Sequence, residues 1–443
     1  MKRTLLLALL VNGMLLPTEA VRASDSSNDK SISFVRVDEE VFEILKRTSP
    51  EGPEYKGVPN FALKTRDNSF VFSINGNVNT IFGYDFGNNL YKAEGGGVDF
   101  VPSAIPVPAV AGQKADYFIN PFNGALIMQF VGFAGTDNEI SAYFKLESHG
   151  NSPEVKFSKA FMSWRGLSLG LKSTLINDGS ALQPPAIDPQ GPAGGLNTNA
   201  YEISYTSKSY NGFRFAAGLD MPTFYSSSGV YRGKDYEDFT GKPVVQIGHS
   251  EQLIPDIPMW VEYSWSDWNR IRLSGLFRDF TYRDILKNKT RHSLGYGVML
   301  SGNLQPVEPL ILYFEGIYGR GIGAYIQDMA GLPLSYVPTS DRPGHMDASP
   351  MMGLNLGATI NVSKKVQFNV IGSESRIWKV GEYCLAPDSG TDYKYGLYIA
   401  ANMFYSIKPY LSWGVEYLYG KHGTWSGTSG HDNRIQTQLK FSF

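Results

Sequence analysis

The chain has 443 residues, too many for one small core: a soluble chain of this length would divide into about three domains, whereas a large barrel would be one. Its 40 basic and 42 acidic residues leave a net charge of −2 and no basic footprint, which argues against DNA or RNA as a partner. An aromatic content of 13%, with 47 Gly and 25 Pro, points to an all-β chain with many turns. Beyond the N-terminus no run of about 18 apolar residues offers a membrane-spanning helix, and a barrel needs none.

Lys2 and Arg3 precede the apolar run Leu5 to Leu16, and Val21 and Ala23 frame a cleavage site before Ser24. Residues 1–23 therefore read as a secretory signal peptide. The single cysteine, Cys384, lies far from that site, so it offers neither a lipid anchor nor a disulfide and reads as incidental. Residues 24–67 form a polar leader in which Val37, Val41, Ile44 and Leu45 recur at helical spacing. A short helix fits there, too short for an independent coiled coil; the alternative is a disordered or loosely docked leader.

From Phe70 the period changes to two. Phe70, Phe72, Ile74, Val78, Phe82, Tyr84 and Phe86 share one phase, while Asn75, Asn77 and Asn79 occupy the other. Asparagines on successive wet positions suit a wall whose inner side faces water. Alternation and turn chemistry predict further strands near 124–134, 139–148, 154–164, 167–175, 199–207, 212–221, 257–266 and 269–282. Others follow near 290–302, 309–321, 353–363, 366–378, 392–406, 409–420 and 432–443, which makes about sixteen. Short turns, at Gly166, Ser207 to Gly212 and Lys408, alternate with long segments such as 87–123, 222–256 and 322–351. Residues 68–443 are thus expected to form a transmembrane antiparallel β-barrel of the Gram-negative outer membrane, with short periplasmic turns and long extracellular loops.

The final strand alternates without a break, Ile435, Thr437, Leu439, Phe441 and Phe443 against Arg434, Gln436, Gln438, Lys440 and Ser442. Outer-membrane barrels end in this way, so Phe441 and Phe443 are expected to be the signal read by the barrel-assembly machinery. Trp413, Tyr417, Tyr419, Tyr393, Tyr395, Tyr263 and Trp265 are expected on the lipid side as interfacial girdles. A soluble sheet could use the same aromatics for cross-strand packing.

Function must then lie on inward side chains and in loops. Arg270, Arg272 and Arg278 fall opposite Ile271, Leu273 and Phe277, so three guanidinium groups from one strand would point into the lumen, joined by Arg434, Lys440, Lys172 and Arg214. Such a wall favours anions, since Arg presents a planar fork matched to carboxylates. Glu139, Glu147, Glu202, Glu262 and Glu416 share the inner phase, and the alternative is a neutralised, weakly selective pore. The Pro- and Gly-rich segment 177–199, with Asp178, Asp188, Gln190, Gly191, Pro192 and Gly194, is long for a hairpin. It either folds inward as a constriction or lies outward as a surface loop. The six histidines lack metal-ligand spacing, and no nucleophile elbow or phosphate loop occurs. The glycines of GRGIGAY, Gly319 to Tyr325, are a weak dinucleotide signal. No metal, cofactor or enzymatic activity is expected; the rival classes are a non-conducting barrel acting as adhesin or anchor, and a barrel-embedded hydrolase.

Several stretches resemble the DcaP-type porins of Gram-negative outer membranes. They are KFSKAFMSW (Lys156 to Trp164), the loop positions Asp188, Gly191, Pro192 and Gly194, LIPDIPMWVEYSW (Leu253 to Trp265), YFEGIYGRGIGAYIQD (Tyr313 to Asp328), LSWGVEYLYGKHG (Leu411 to Gly423) and the closing HDNRIQTQLKFSF. The resemblance implies a sixteen-stranded homotrimeric diffusion channel that admits small anionic solutes, dicarboxylates among them, a role that Arg270, Arg272 and Arg278 would fit. Two departures stand out: Gln190 occupies a place where the family tends to have an acid before Gly-Pro, and LSLGLKSTL lacks the family's frequent Gln-Thr-Trp.

Overall fold

The alternation that begins at Phe70 closes into a wall. The computed structural model describes residues 32–49, 61–87, 98–108, 115–148, 154–179, 184–222, 235–237, 243–251, 254–332, 334–338, 345–378 and 392–443. Cys384 and the expected signal peptide lie outside them.

Ahead of the wall come β1 (Ile32–Arg36), α1 (Glu39–Thr48) and β2 (Phe61–Thr65). The wall starts with β3 (Phe70–Asp85), β4 (Asp116–Gly132), β5 (Ile140–Ser148), β6 (Lys156–Trp164), β7 (Leu167–Ser173), β8 (Asn199–Thr206) and β9 (Phe213–Pro222). Two strands of a connecting loop, β10 (Asp235–Glu237) and β11 (Pro243–Glu251), precede β12 (Ile257–Ser266), β13 (Asn269–Asp284), β14 (Lys289–Val307) and β15 (Leu310–Arg320). A separate hairpin of β16 (Tyr336–Pro338) and β17 (Met346–Ala348) is followed by β18 (Pro350–Asn361), β19 (Val366–Ile377), β20 (Tyr393–Lys408), β21 (Leu411–Thr424) and β22 (Ser429–Ser442). Sixteen of these, β3 to β9, β12 to β15 and β18 to β22, pair antiparallel with their neighbours. The ring closes where β22 returns to β3, with Arg434 opposite Asp85 and Ser442 opposite Asn77. Closure gives every wall strand two partners, which an open sheet cannot do.

One phase of each strand faces out and is apolar and exposed: Ile271, Leu273 and Phe277 on β13, Val298 and Leu300 on β14, Leu354 and Leu356 on β18, Ile435, Leu439 and Phe441 on β22. The other phase faces in and is buried or half-buried. Connections at one rim are short, none longer than 133–139. Those at the other rim include the long segments 86–115, 174–198, 223–256 and 321–349, although 285–288 and 425–428 are tight there too.

Three expectations are corrected. Strand β4 begins at Asp116 rather than near 124, because the register shifts across Pro121 and Phe122 and exchanges the two faces, which breaks the alternation. Tyr393 faces inward, 2% exposed, because a register shift separates it from Tyr395. Glu139 belongs to the turn before β5, where its carboxylate accepts the Gly135 amide.

The leader is ordered where it is described. Strand β2 pairs with β3 at Val71 to Ser73, the edge that β22 leaves free once Phe443 has exchanged backbone hydrogen bonds with Gly76. Strand β1 pairs with β2. Helix α1 starts at Asp38, whose side chain caps the Val41 amide, and packs Val41, Ile44 and Leu45 against Ala62, Val71 and Val131.

Candidate functional site

The interior is defined by what the long loops do inside it. The described parts of three connections fold into the lumen: 98–108 of β3–β4, 174–179 and 184–198 of β7–β8, and 321–332, 334–338 and 345–349 of β15–β18. Each contributes fully buried side chains, Phe100 and Ile105 from the first, Ile176 and Leu196 from the second, Tyr325 and Ile326 from the third. They hold one another through backbone groups. The Phe100 amide donates to Asp188 (3.0 Å) and the Ser103 amide to Asp328 (2.8 Å). The Gln327 and Asp328 amides donate to the carbonyls of Gly195 and Ala193 (2.9 and 3.0 Å), and Leu196 bridges Ile326.

Acidic residues of the wall anchor this assembly. Glu416 on β21 accepts the amides of Ile187 and Asp188 (3.0 and 2.8 Å), together with the Asn402 and Gln436 side chains (2.8 and 2.9 Å). Glu315 on β15 accepts the Leu196 amide (2.9 Å), and Ser373 on β19 accepts that of Gly194 (2.8 Å). Carboxylates that accept amides satisfy loop backbone that is buried without a sheet partner. Gly194 lies against the wall so closely that a Cβ there would run into the backbone of Leu354 and Glu374.

The described part of the 177–199 segment therefore folds inward, and its predicted residues divide by role. Asp178 binds Arg270 and Ser301 (2.6 Å to the latter). Burial alone would raise its pKa, but Arg272 and then Arg270 outweigh that and hold it below the usual carboxylate range. Asp188 accepts four donors, the amides of Phe100, Gln190 and Gly191 and the Tyr398 hydroxyl; burial, then Glu416 and Asp99, push its carboxyl up to about 8. The Gln190 carbonyl accepts Gln327 (2.6 Å), Gly191 takes the left-handed conformation (φ 82°), and the Pro192 carbonyl accepts the Gly195 amide (3.1 Å).

The predicted cations all take the inner phase, but most are engaged. Arg434 is fully buried, donating to Asp85 (2.6 Å) and the Val98 carbonyl (2.6 Å) between the rings of Phe100 and Phe118. Arg278 is bound to Asp256 (2.9 Å) and the Gly321 carbonyl (2.6 Å). Arg270 meets Asp178, Glu262 (2.6 Å) and Asn303 (2.8 Å). These three pin loops and are not free to meet a solute. Arg272 binds Glu262 (2.7 Å) and stacks on Trp260, and Lys172 pairs with Glu202 (2.9 Å) beside Phe161. Arg214 reaches Glu262 at 3.7 Å and is the most open, 42% exposed against 4% for that carboxylate. Lys440 is half-buried on β22, and among the described residues it forms no ion pair.

Sequence reasoning missed two lysines. Lys145 pairs with Glu147 (2.5 Å), whose phase it shares, and Lys159 lies directly across from Lys145 on β6. Alternation could have found Lys145; the register shift beside it hides Lys159. With Lys172 and Arg214 they form an arc of cations along β5, β6, β7 and β9. On this arc the side chain of Lys172 is 17% exposed while its partner Glu202 is wholly buried, whereas in the Lys145–Glu147 pair the acid is the more open, 29% against 15%. The arc opposite is a chain of amides and hydroxyls that ends on an acid, Thr359 to Asn369 (2.6 Å), Asn369 to Asn402 (2.7 Å) and Asn402 to Glu416. GRGIGAY is part of the inserted 321–349 segment or its entry, with Ile322, Ala324 and Tyr325 buried, and offers no exposed glycine loop.

No family model and no curated protein matches this sequence. Among solved structures, the outer membrane channel DcaP of Acinetobacter baumannii is similar with a TM-score of 0.65 and 14% identity, over 86% of this chain and 99% of that one. An anion-selective porin from Comamonas acidovorans is similar with a TM-score of 0.51 and 11% identity, over 84% of this chain and all of the other. At these identities the likeness is one of fold.

Proposed function

We propose that this chain is an outer-membrane porin, a passive diffusion channel for small hydrophilic solutes with a preference for anions such as dicarboxylates. The observation that carries this reading is the arrangement of charge on the β5–β9 arc: Lys172 and Arg214 present their charges toward the lumen while Glu202 and Glu262 lie beneath them. Such an arc raises the local concentration of anions, and the loops inserted opposite restrict the cross-section. The barrel fold shared with the DcaP channel and an anion-selective porin supports the same reading.

In this reading residues 1–23 are removed on export, 24–67 lie in the periplasm, and 68–443 form the barrel, held in lipid by its apolar outer face. Phe441 and Phe443 at the end of the last strand are what the barrel-assembly machinery would read, and the working unit is a homotrimer. The test is the reversal potential of the refolded protein in a planar bilayer across a salt gradient: a stable current reversing on the anion side is expected. The volume of loop inside the lumen favours one rival, a non-conducting barrel acting as adhesin or anchor. Absence of current from correctly folded protein would select that rival.

A further inference from the structure

We propose that helix α1 lines the short-turn mouth of the pore and that Glu39, Glu40 and Glu43 set the charge of this opening, so that the channel passes current asymmetrically. The inference rests on the porin reading above and adds to it a determinant outside the barrel wall.

The helix lies on the inner side of the wall. Ala62 sits opposite Ser73, and Ser73, Val71, Gln129 and Val131 all belong to the inner phase of β3 and β4. Against that face α1 buries Val41, Ile44 and Leu45. The Gln129 amide donates to the Leu45 carbonyl (2.7 Å) and to the Thr48 hydroxyl (2.6 Å), and Thr48 donates in turn to the Ile44 carbonyl (3.0 Å). Val71 and Val131, both fully buried, stand at the rim end of an inner phase that continues through Ser73, Asn75, Gln129 and the buried Ile127. Two inward valines in a water-filled mouth would forgo the burial that usually favours them, and under α1 they retain it.

The other side of the helix is acidic and open. Glu39, Glu40 and Glu43 are exposed, and the only basic side chain described on the helix, Lys46, lies 3.7 Å from Glu43. Carboxylates therefore stand at one end of a path whose wall carries Lys145, Lys159 and Lys172 farther in, each the sixth strand residue from the short-turn rim, with Arg214 beside the short turn 207–212. Positive charge within and negative charge at one mouth make the potential along the axis unequal in its two directions. At about 0.1 M salt, where charge acts over about 10 Å, the current–voltage relation should rectify, and high salt should suppress it.

Three variants of the full-length protein in planar bilayers test this, built on Cys384→Ser. In the first, Glu39→Gln, Glu40→Gln and Glu43→Gln together leave the docking face intact; single-channel conductance should stay near the parent's while rectification at low salt is lost. In the second, Val41→Asp with Leu45→Asp detaches the helix; conductance should rise and rectification should vanish, with release verified by proteolysis within 39–48 and folding by heat-modifiable gel mobility. The third adds Thr48→Cys and Gln129→Cys to Val41→Asp alone, and oxidation should return the parental conductance. A helix that is released with conductance and rectification unchanged lies outside the current path, and the inference fails while the porin reading stands. If the charge-neutral variant still rectifies, these glutamates are not the source and the inference fails equally. A parent without current overturns both.

Discussion

At the scale of single residues, the burial of a cation decides what its loss would do. Arg270 is buried among Asp178, Glu262 and Asn303, so Arg270→Ala would leave one loop carboxylate and one wall carboxylate short of a partner. Breaking a buried pair in this way costs about 3–5 kcal/mol. Its expected signature is a lower urea midpoint for the barrel, with noisier current as the 174–198 segment loosens. Arg214 stands at the water, and Arg214→Glu should move the reversal potential toward cations, with thermal stability changed far less. Equal selectivity in the parent and that variant would place the solute path elsewhere. The phase of these residues was legible because alternation alone sets it: Arg270, Arg272 and Arg278 face in as expected. Glu262 was legible as an inner-phase acid set against them, but their loop partners were not, since Asp178 and Asp256 lie in connections that carry no period and the pairing of Arg270 with Asp178 spans 92 positions. Tyr393 was misplaced for a related reason, because a single shifted position exchanges inside for outside.

At the scale of elements, the inserted loops depend on a few wall acids. Glu416 holds two consecutive amides of the 184–198 segment, and an intramolecular hydrogen bond contributes about 0.5–1.5 kcal/mol net. Glu416→Ala should abolish the hydrogen-exchange protection of the Ile187 and Asp188 amides and raise single-channel conductance, while the wall strands keep their protection. Helix α1 has its own dependence on pH through Asp38. The Val41 amide, and after it Lys64, lower the Asp38 pKa in the folded leader, with burial opposing them. A lowered carboxyl stabilises the folded form above its unfolded value of about 3.9 and ceases to do so as pH falls through the folded value. Docking of α1 should therefore weaken only below about pH 4, read as increased mobility of a spin label on the helix; loosening above pH 7 would contradict this cap. The helix was visible in the spacing of Val41, Ile44 and Leu45, but its seat was not, because nothing local to β3 or β4 says what covers Val71 and Val131.

At the scale of the whole molecule, the outer face and the inner face follow different rules. Outside, period-two alternation is complete enough that strand count, closure and the two unequal rims are all legible in the sequence. Inside, the barrel is closer to a packed protein than to a water-filled tube: Phe100, Ile176, Leu196, Tyr325 and Tyr398 are as buried as residues of a soluble core. Such packing is the work of side-chain shape across distant segments, and a one-dimensional pattern does not encode it.

The seam between β22 and β3 also bears on the order of assembly. Arg434 reaches across 349 positions to Asp85 and, with the same guanidinium, holds the carbonyl of Val98. Loop-closure entropy grows only slowly with separation, about 0.6 kcal/mol for each doubling, so this distance burdens the rate of folding more than the final stability. From Asn77 to Asp85 the first wall strand must wait, unpaired along that edge, until the last one is in place. One side chain then joins the two edges and seats the 98–108 segment in the same step, so a molecule halted before Arg434 docks would lack both its closed ring and one of its internal segments.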